Sequence, residues 1–222
     1  MTFTIVHLMR HGEVDNPQGV IYGRMSGFGL TPLGKDMAQC VADYLVAEDA
    51  DITHVRSSPL LRAQETALPT ALAYELPIET DARLVEAASL FEGVNVNRNR
   101  WVLAHPRNWS KYRAPHRPSW GEAYAQILTR MQAALSSAID QAYGHEALVV
   151  SHQLPIVMVQ RFIQGRPLSH SPLRRQCSLA SLTSLLFEEH TLVGWSYAEP
   201  AKKLLTLAHD VTPGSSAAAT RS

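Results

Sequence analysis

The apolar run Phe3-Thr4-Ile5-Val6-His7-Leu8-Met9 stops abruptly at Arg10-His11-Gly12. A short strand ending on chemistry-bearing residues constrains the fold more than any other feature, because it recurs. Runs at 52–57 and 147–151 end on Ser57-Ser58 and Ser151-His152. Segments of helical period lie between them. Leu33, Met37, Val41, Tyr44 and Leu45 follow Thr31-Pro32, where threonine suits an N-cap and proline the first helical position. A second helix is expected from near Pro59 to about Tyr74. A third carries Tyr124, Ile127, Met131, Leu135, Ile139 and Ala142 and should stop at Gly144; a fourth should follow His152, with Pro155 in its first turn. Two last runs, 179–187 and 192–197, flank Glu188-Glu189-His190 and read as a hairpin.

Strands alternating with helices predict an α/β fold, a three-layer sandwich with a mostly parallel central sheet and helices on both faces. Ligands of such sheets bind beyond the carboxyl ends of the strands. Arg10-His11, Ser57-Ser58 and Ser151-His152 all fall there. A length of 222 residues suits one domain, expected over 1–210, and the residues at 211–222 read as a disordered tail. With 45% hydrophobic and 18% charged residues the chain can build a real core. Its formal net charge of zero argues against a general nucleic-acid or membrane-surface binder.

No run is long enough to span a bilayer, and the N-terminal apolar run is too short for a signal peptide and has no basic residues before it. A cytoplasmic protein is expected. Cys40 and Cys177 lie in apolar segments and read as reduced core cysteines. His7, inside the first strand, reads as a core histidine. The histidines outside the strand ends show no ligand spacing, so no metal or other cofactor is expected. An exposed sheet edge would allow two chains to pair as a homodimer.

The alternation breaks down between 93 and 121. Six cations, Arg98, Arg100, Arg107, Lys111, Arg113 and Arg117, occur there without an acidic residue, interleaved with Trp101, Trp109, Tyr112 and Trp120. The segment at about 94–120 reads as an insertion. As a lid it would draw in an anionic substrate and close over its organic part; otherwise it is a solvated loop pinned by its tryptophans.

Arg10, His11 and Gly12 suit attack on phosphorus: a cation for phosphate oxygens, an imidazole nucleophile, and no side chain where the backbone must come close. The segment Leu8-Met9-Arg10-His11-Gly12-Glu13 resembles the signature of the histidine phosphatase superfamily, which includes phosphoglycerate mutases. Ser57-Ser58-Pro59-Leu60-Leu61-Arg62-Ala63-Gln64-Glu65-Thr66-Ala67 resembles its second block, and Val149-Val150-Ser151-His152 its late block. The order matches as well.

The resemblance implies a phosphoglycerate mutase-like fold and a phosphoryl group carried on His11 as phosphohistidine, then lost to water. Arg10, Arg62 and His152 would surround the phosphoryl oxygens, doing the work that magnesium does elsewhere. It also implies an acid from the stretch Arg83-Leu84-Val85-Glu86, which makes Glu86 the candidate proton donor to the leaving alkoxide, with a raised pKa. The spacing from Glu86 to Phe91-Glu92-Gly93 is one residue shorter than the family pattern, so Glu92 and Glu13 stand as alternative acids.

Other departures bear on function. Many members carry asparagine six residues after the histidine, where this chain has Pro17; Asn16 is taken as its replacement at the phosphate. Val14 stands where threonine is common. Ser57 is a further candidate phosphate contact or, equally, a turn-capping serine. The stretch 23–34 keeps Leu30-Thr31-Pro32-Leu33-Gly34 but lacks the tryptophan and aspartate pattern of a glycolytic mutase. The expected activity is metal-independent hydrolysis of a small phosphate monoester. A mutase-type phosphotransferase and a non-catalytic phospholigand-binding module are the rivals.

Overall fold

The computed structural model describes residues 1–95, 105–106, 109, 121–210 and 219–220. Four strands run side by side from β1 (Phe3–Arg10) through β2 (Ile52–Ser57), β3 (Ile78–Thr80) and β4 (Glu146–Ser151). The helices between them are α1 (Pro32–Ala47), α2 (Leu61–Ala73) and α3 (Tyr124–Gln141). Helix α4 (Gln153–Ile163) leads to the hairpin β5 (Leu182–Glu188) and β6 (Thr191–Ala198). The sheet order is β3-β2-β4-β1-β5-β6. The β2–β3, β2–β4 and β1–β4 pairings are parallel, whereas β5 runs antiparallel to both β1 and β6. The sheet is thus mixed, with its parallel part where the expected site residues fall.

Period-two alternation decides which face each residue serves. Val6 and Leu8 of β1 and Ala147 and Val149 of β4 pack with Ile127, Met131 and Ile156 of α3 and α4. Met9, Leu148 and Val150 point the other way, onto Met37, Val41, Ala63 and Ala67 of α1 and α2. Covering both faces completes the three layers. Thr31 caps α1 as expected, its hydroxyl accepting from the Gly34 N–H at 2.9 Å, with Pro32 in the first turn. His7 is buried between Ser184 and Glu146, at 2.7 and 2.6 Å, and both cysteines are free.

The structure departs from the sequence expectation at the start of α2, at the start of the fifth strand and at β3. Helix α2 begins at Leu61, not near Pro59, because Leu60 is still extended. The fifth strand begins at Leu182 and not at 179, because Ala180 takes a positive φ of 51° and turns the chain. Strand β3, only three residues of Ile-Glu-Thr, carries too short a pattern to be read. A further pairing joins β7 (His209–Asp210) to β8 (Ala219–Thr220). Most of the expected lid at 94–120 and of the tail at 211–222 lies outside the described residues. Among the described residues no helix is long and apolar enough to cross a membrane.

Candidate active site

The carboxyl ends of β1, β2 and β4 meet at one place, and backbone hydrogen bonds fix how β1 leaves the sheet. The Arg10 N–H donates to Ser181 O at 3.1 Å and the His11 N–H to Ser151 O at 3.2 Å. The Gly12 N–H then donates to Thr66 Oγ1 at 3.1 Å, and that hydroxyl donates to Arg62 O at 2.6 Å. This ties the first loop to the first turn of α2, from which Arg62 projects. Gly12 is needed for a backbone crossing: a Cβ there would lie 2.5 Å from Gly34 O at the start of α1.

His11 is buried, and its Nδ1 lies 2.8 Å from Gly12 O. A carbonyl only accepts, so Nδ1 carries the proton and Nε2 keeps its lone pair. Burial, then the charges of Arg62 and Arg10, push the His11 pKa well below the ordinary imidazole value. The ring of His152, the residue immediately before α4, stands 5.2 Å from that of His11. Its Nε2 lies 2.8 Å from Ser58 Oγ, and burial followed by Arg62 and His11 holds it neutral too.

Arg10 and Arg62 are almost fully buried. The Arg10 Nη1 donates to Cys177 O at 2.7 Å and Nη2 to Asp210 Oδ2 at 2.6 Å. Burial opposes the Arg10 charge, and Asp210 more than restores it, raising the pKa above its usual value. Arg62 donates from Nη2 to Gly23 O at 2.7 Å and stacks over Tyr22, with Cζ 4.7 Å from the ring centre. Around the two histidines, buried Arg10 Nε, Arg62 Nε and Nη1, and His152 Nδ1 find no hydrogen-bond partner among the described residues. Buried unpartnered donors on two guanidinium groups cost free energy unless an anion meets them.

Glu86 follows the short 3₁₀ turn Ala82–Leu84 and accepts the Ala87 N–H at 2.8 Å. Burial pushes its carboxyl above the ordinary range, against that bond and the charges of Arg62, Arg175 and Arg10. The two alternative acids have other partners. Glu13 accepts from the Thr31 hydroxyl and the His209 N–H, and Glu92 from the Arg24 N–H at 3.0 Å.

Arg10, His11, Arg62, Glu86 and His152 are therefore brought together. Asn16 is buried in the following loop, where its amide spans both backbone groups of Val20. The Ser57 hydroxyl donates to Ser58 O at 3.0 Å, and the neighbouring Ser58 is the serine beside His152. Sequence reasoning placed Ser58 at a strand end without giving it a role, and missed Tyr22, Arg175 and Asp210. Tyr22 comes from an aperiodic loop; burial and Asp210, against Arg62 and Arg10, push its hydroxyl up to about 12. Asp210 is separated from Arg10 by nearly the whole chain, and no local pattern marks it.

Comparison with known proteins bears on this geometry. Residues 6–197 match the model of the histidine phosphatase superfamily (branch 1). The uncharacterised protein Rv0525 of Mycobacterium tuberculosis (strain ATCC 25618 / H37Rv) is 46% identical over 198 residues, 89% of this chain and 97% of that protein. The probable phosphoglycerate mutase GpmB of Yersinia enterocolitica is 31% identical over 199 residues, 86% of this chain and 89% of its own length. In fold, the chain resembles phosphoglycerate mutase from Bacillus anthracis with a TM-score of 0.71 at 20% identity, over 91% of this chain and 96% of that one.

Proposed function

Starting from the fact that the chain belongs to the histidine phosphatase superfamily (branch 1), we propose that it hydrolyses small phosphate monoesters through a phosphohistidine on His11. The unpartnered buried nitrogens of Arg10, Arg62 and His152 around a neutral imidazole are the observation that carries this reading. His11 Nε2 attacks phosphorus in line with the ester oxygen. The P–O bond breaks, and the leaving alkoxide takes the proton of Glu86. Water then attacks the phosphohistidine, gives a proton back to Glu86, and frees inorganic phosphate and neutral His11.

The guanidinium groups and the His152 N–H stabilise the charge on the equatorial oxygens, a task that fixed cations perform without a metal. Ser58 sets the tautomer for that role: if its hydroxyl donates to His152 Nε2, the proton sits on Nδ1, the nitrogen free to meet phosphate. The likeness to a probable phosphoglycerate mutase keeps transfer back to a sugar acid as the second reading.

The test is phosphate release from an aryl phosphate and a panel of natural esters, with chelator present, for wild type and His11→Ala. We expect turnover that survives the chelator and is lost in the variant. Equal activity in both proteins would remove His11 as nucleophile. Interconversion of the two phosphoglycerates with little free phosphate would identify a mutase. Ligand binding without turnover of any ester would leave a binding module.

A further inference from the structure

Arg175 is used by none of these steps, yet it sits beside them. It follows the 3₁₀ turn Pro172–Arg174 and is only partly exposed. Its Nε donates to His170 Nε2 at 3.0 Å and its Nη1 to Gln153 Oε1 at 3.0 Å. The His170 Nδ1 lies 2.8 Å from Leu168 O, so that nitrogen carries the proton and Nε2 is the acceptor Arg175 needs. The His170 ring in turn packs against Tyr124, with centres 5.6 Å apart. The guanidinium is therefore held in place before any ligand arrives.

Gln153 adds a second observation. It directly follows His152, is buried, and gives its oxygen to Arg175, while Nε2 of the same amide has no hydrogen-bond partner among the described residues. A buried amide N–H without a partner thus lies beside a fixed cation that keeps further N–H donors. Donors alone, with a positive charge, recognise an anion. Because Gln153 directly follows His152, the pair lies next to the phosphoryl pocket, near enough for the charges of Glu86 and Arg10 to act on Arg175.

We propose that Arg175 and the Gln153 amide form a second anion subsite, and that the substrate is a phosphate monoester whose alcohol portion carries a further anionic group. This rests on the phosphatase reading and extends it from the reacting phosphoryl group to the rest of the substrate. A carboxylate or a second phosphate would satisfy the same donors. The forked guanidinium suits a planar carboxylate in two-point contact.

The experiment compares matched esters: phosphoglycerate with glycerol phosphate, and a hexose bisphosphate with the hexose monophosphate. The readout is the ratio of kcat/KM, anionic over neutral, in wild type and in Arg175→Gln. We expect wild type to prefer the anionic member of at least one pair, and the variant to lose that preference by roughly tenfold. A general folding or positioning defect lowers both members and leaves the ratio unchanged. No preference in either pair, or a preference that persists in the variant, would overturn the subsite. If wild type turned over no ester, the phosphatase reading would fail separately. Calorimetric binding of the same pairs would then decide the subsite by the same ratio.

Discussion

The residue scale holds most of the chemistry, and there the roles of the two titrating groups separate by environment. In the proposed reaction His11 attacks as a free base, and burial with Arg62 and Arg10 keeps it neutral well into mild acid. In the same proposed reaction Glu86 starts protonated, and burial raises its pKa. Once the ester's own ionisation is factored out, kcat/KM should therefore persist below pH 6.5 and fall as pH rises through the Glu86 pKa. Glu86→Gln should abolish that alkaline fall and lower kcat/KM by roughly 10²–10⁴ for alkyl esters. For an aryl ester, whose leaving group needs little protonation, the loss should be far smaller. An equal loss on both esters would move the acid role elsewhere, and a matching profile in Glu92→Gln would name the replacement. Arg10, His11 and His152 were legible in sequence because each sits at or just beyond a strand end, and Arg62, in the first turn of α2, through the resemblance of its block to the family's second block. Tyr22 and Arg175 were not, because aperiodic loops deliver them and their partners are distant in sequence.

At the scale of elements, the site depends on how closely the loop after β1 can approach the start of α1. A Cβ on Gly34 would lie 2.1 Å from Glu13 O, a backbone atom that cannot turn aside. Gly34→Ala should force the helix and loop apart, destabilising the fold by about 2 kcal/mol or more. Because the same loop carries His11 and Gly12, activity should fall with the melting temperature. Thermal unfolding monitored beside turnover checks this, and an unchanged melting temperature would refute it. Gly34 stood in the sequence as part of Leu30-Thr31-Pro32-Leu33-Gly34, where the cap of α1 was legible from Thr31 and Pro32. Its packing role was not, since a glycine's pattern says nothing of which backbone crosses it. The long strands and helices were readable from periodicity, whereas β3 was too short to show any. The turn at Ala180 placed a positive φ on a residue type that gives no warning of it.

For the whole molecule, the notable closure is between its two ends. Residues 209–210 return to the first loop: the His209 N–H donates to Glu13 Oε1 at 2.7 Å, and Asp210 pairs with Arg10 at 2.6 Å, both partners buried. No sequence pattern announces a contact across 200 positions, and the expected domain ended at that very residue. The pairing has two opposed effects. It fixes the direction of the Arg10 guanidinium, leaving Nε for an incoming phosphoryl group. It also sets a carboxylate against the cation that, in the proposed reaction, holds that group, so a bound phosphate would share Arg10 with a like charge. Asp210→Asn separates the two, because the amide oxygen can still accept from Nη2 while the negative charge is gone. If repulsion dominates, as the burial of the pair and its weak screening by salt imply, inorganic phosphate should inhibit the variant more tightly. The expected gain is roughly fivefold in inhibition constant, on the order of 1 kcal/mol, with little dependence on ionic strength. A weaker or unchanged inhibition constant would mean that the carboxylate serves chiefly to aim Arg10, and turnover should then fall in the variant as the guanidinium loses its bearing.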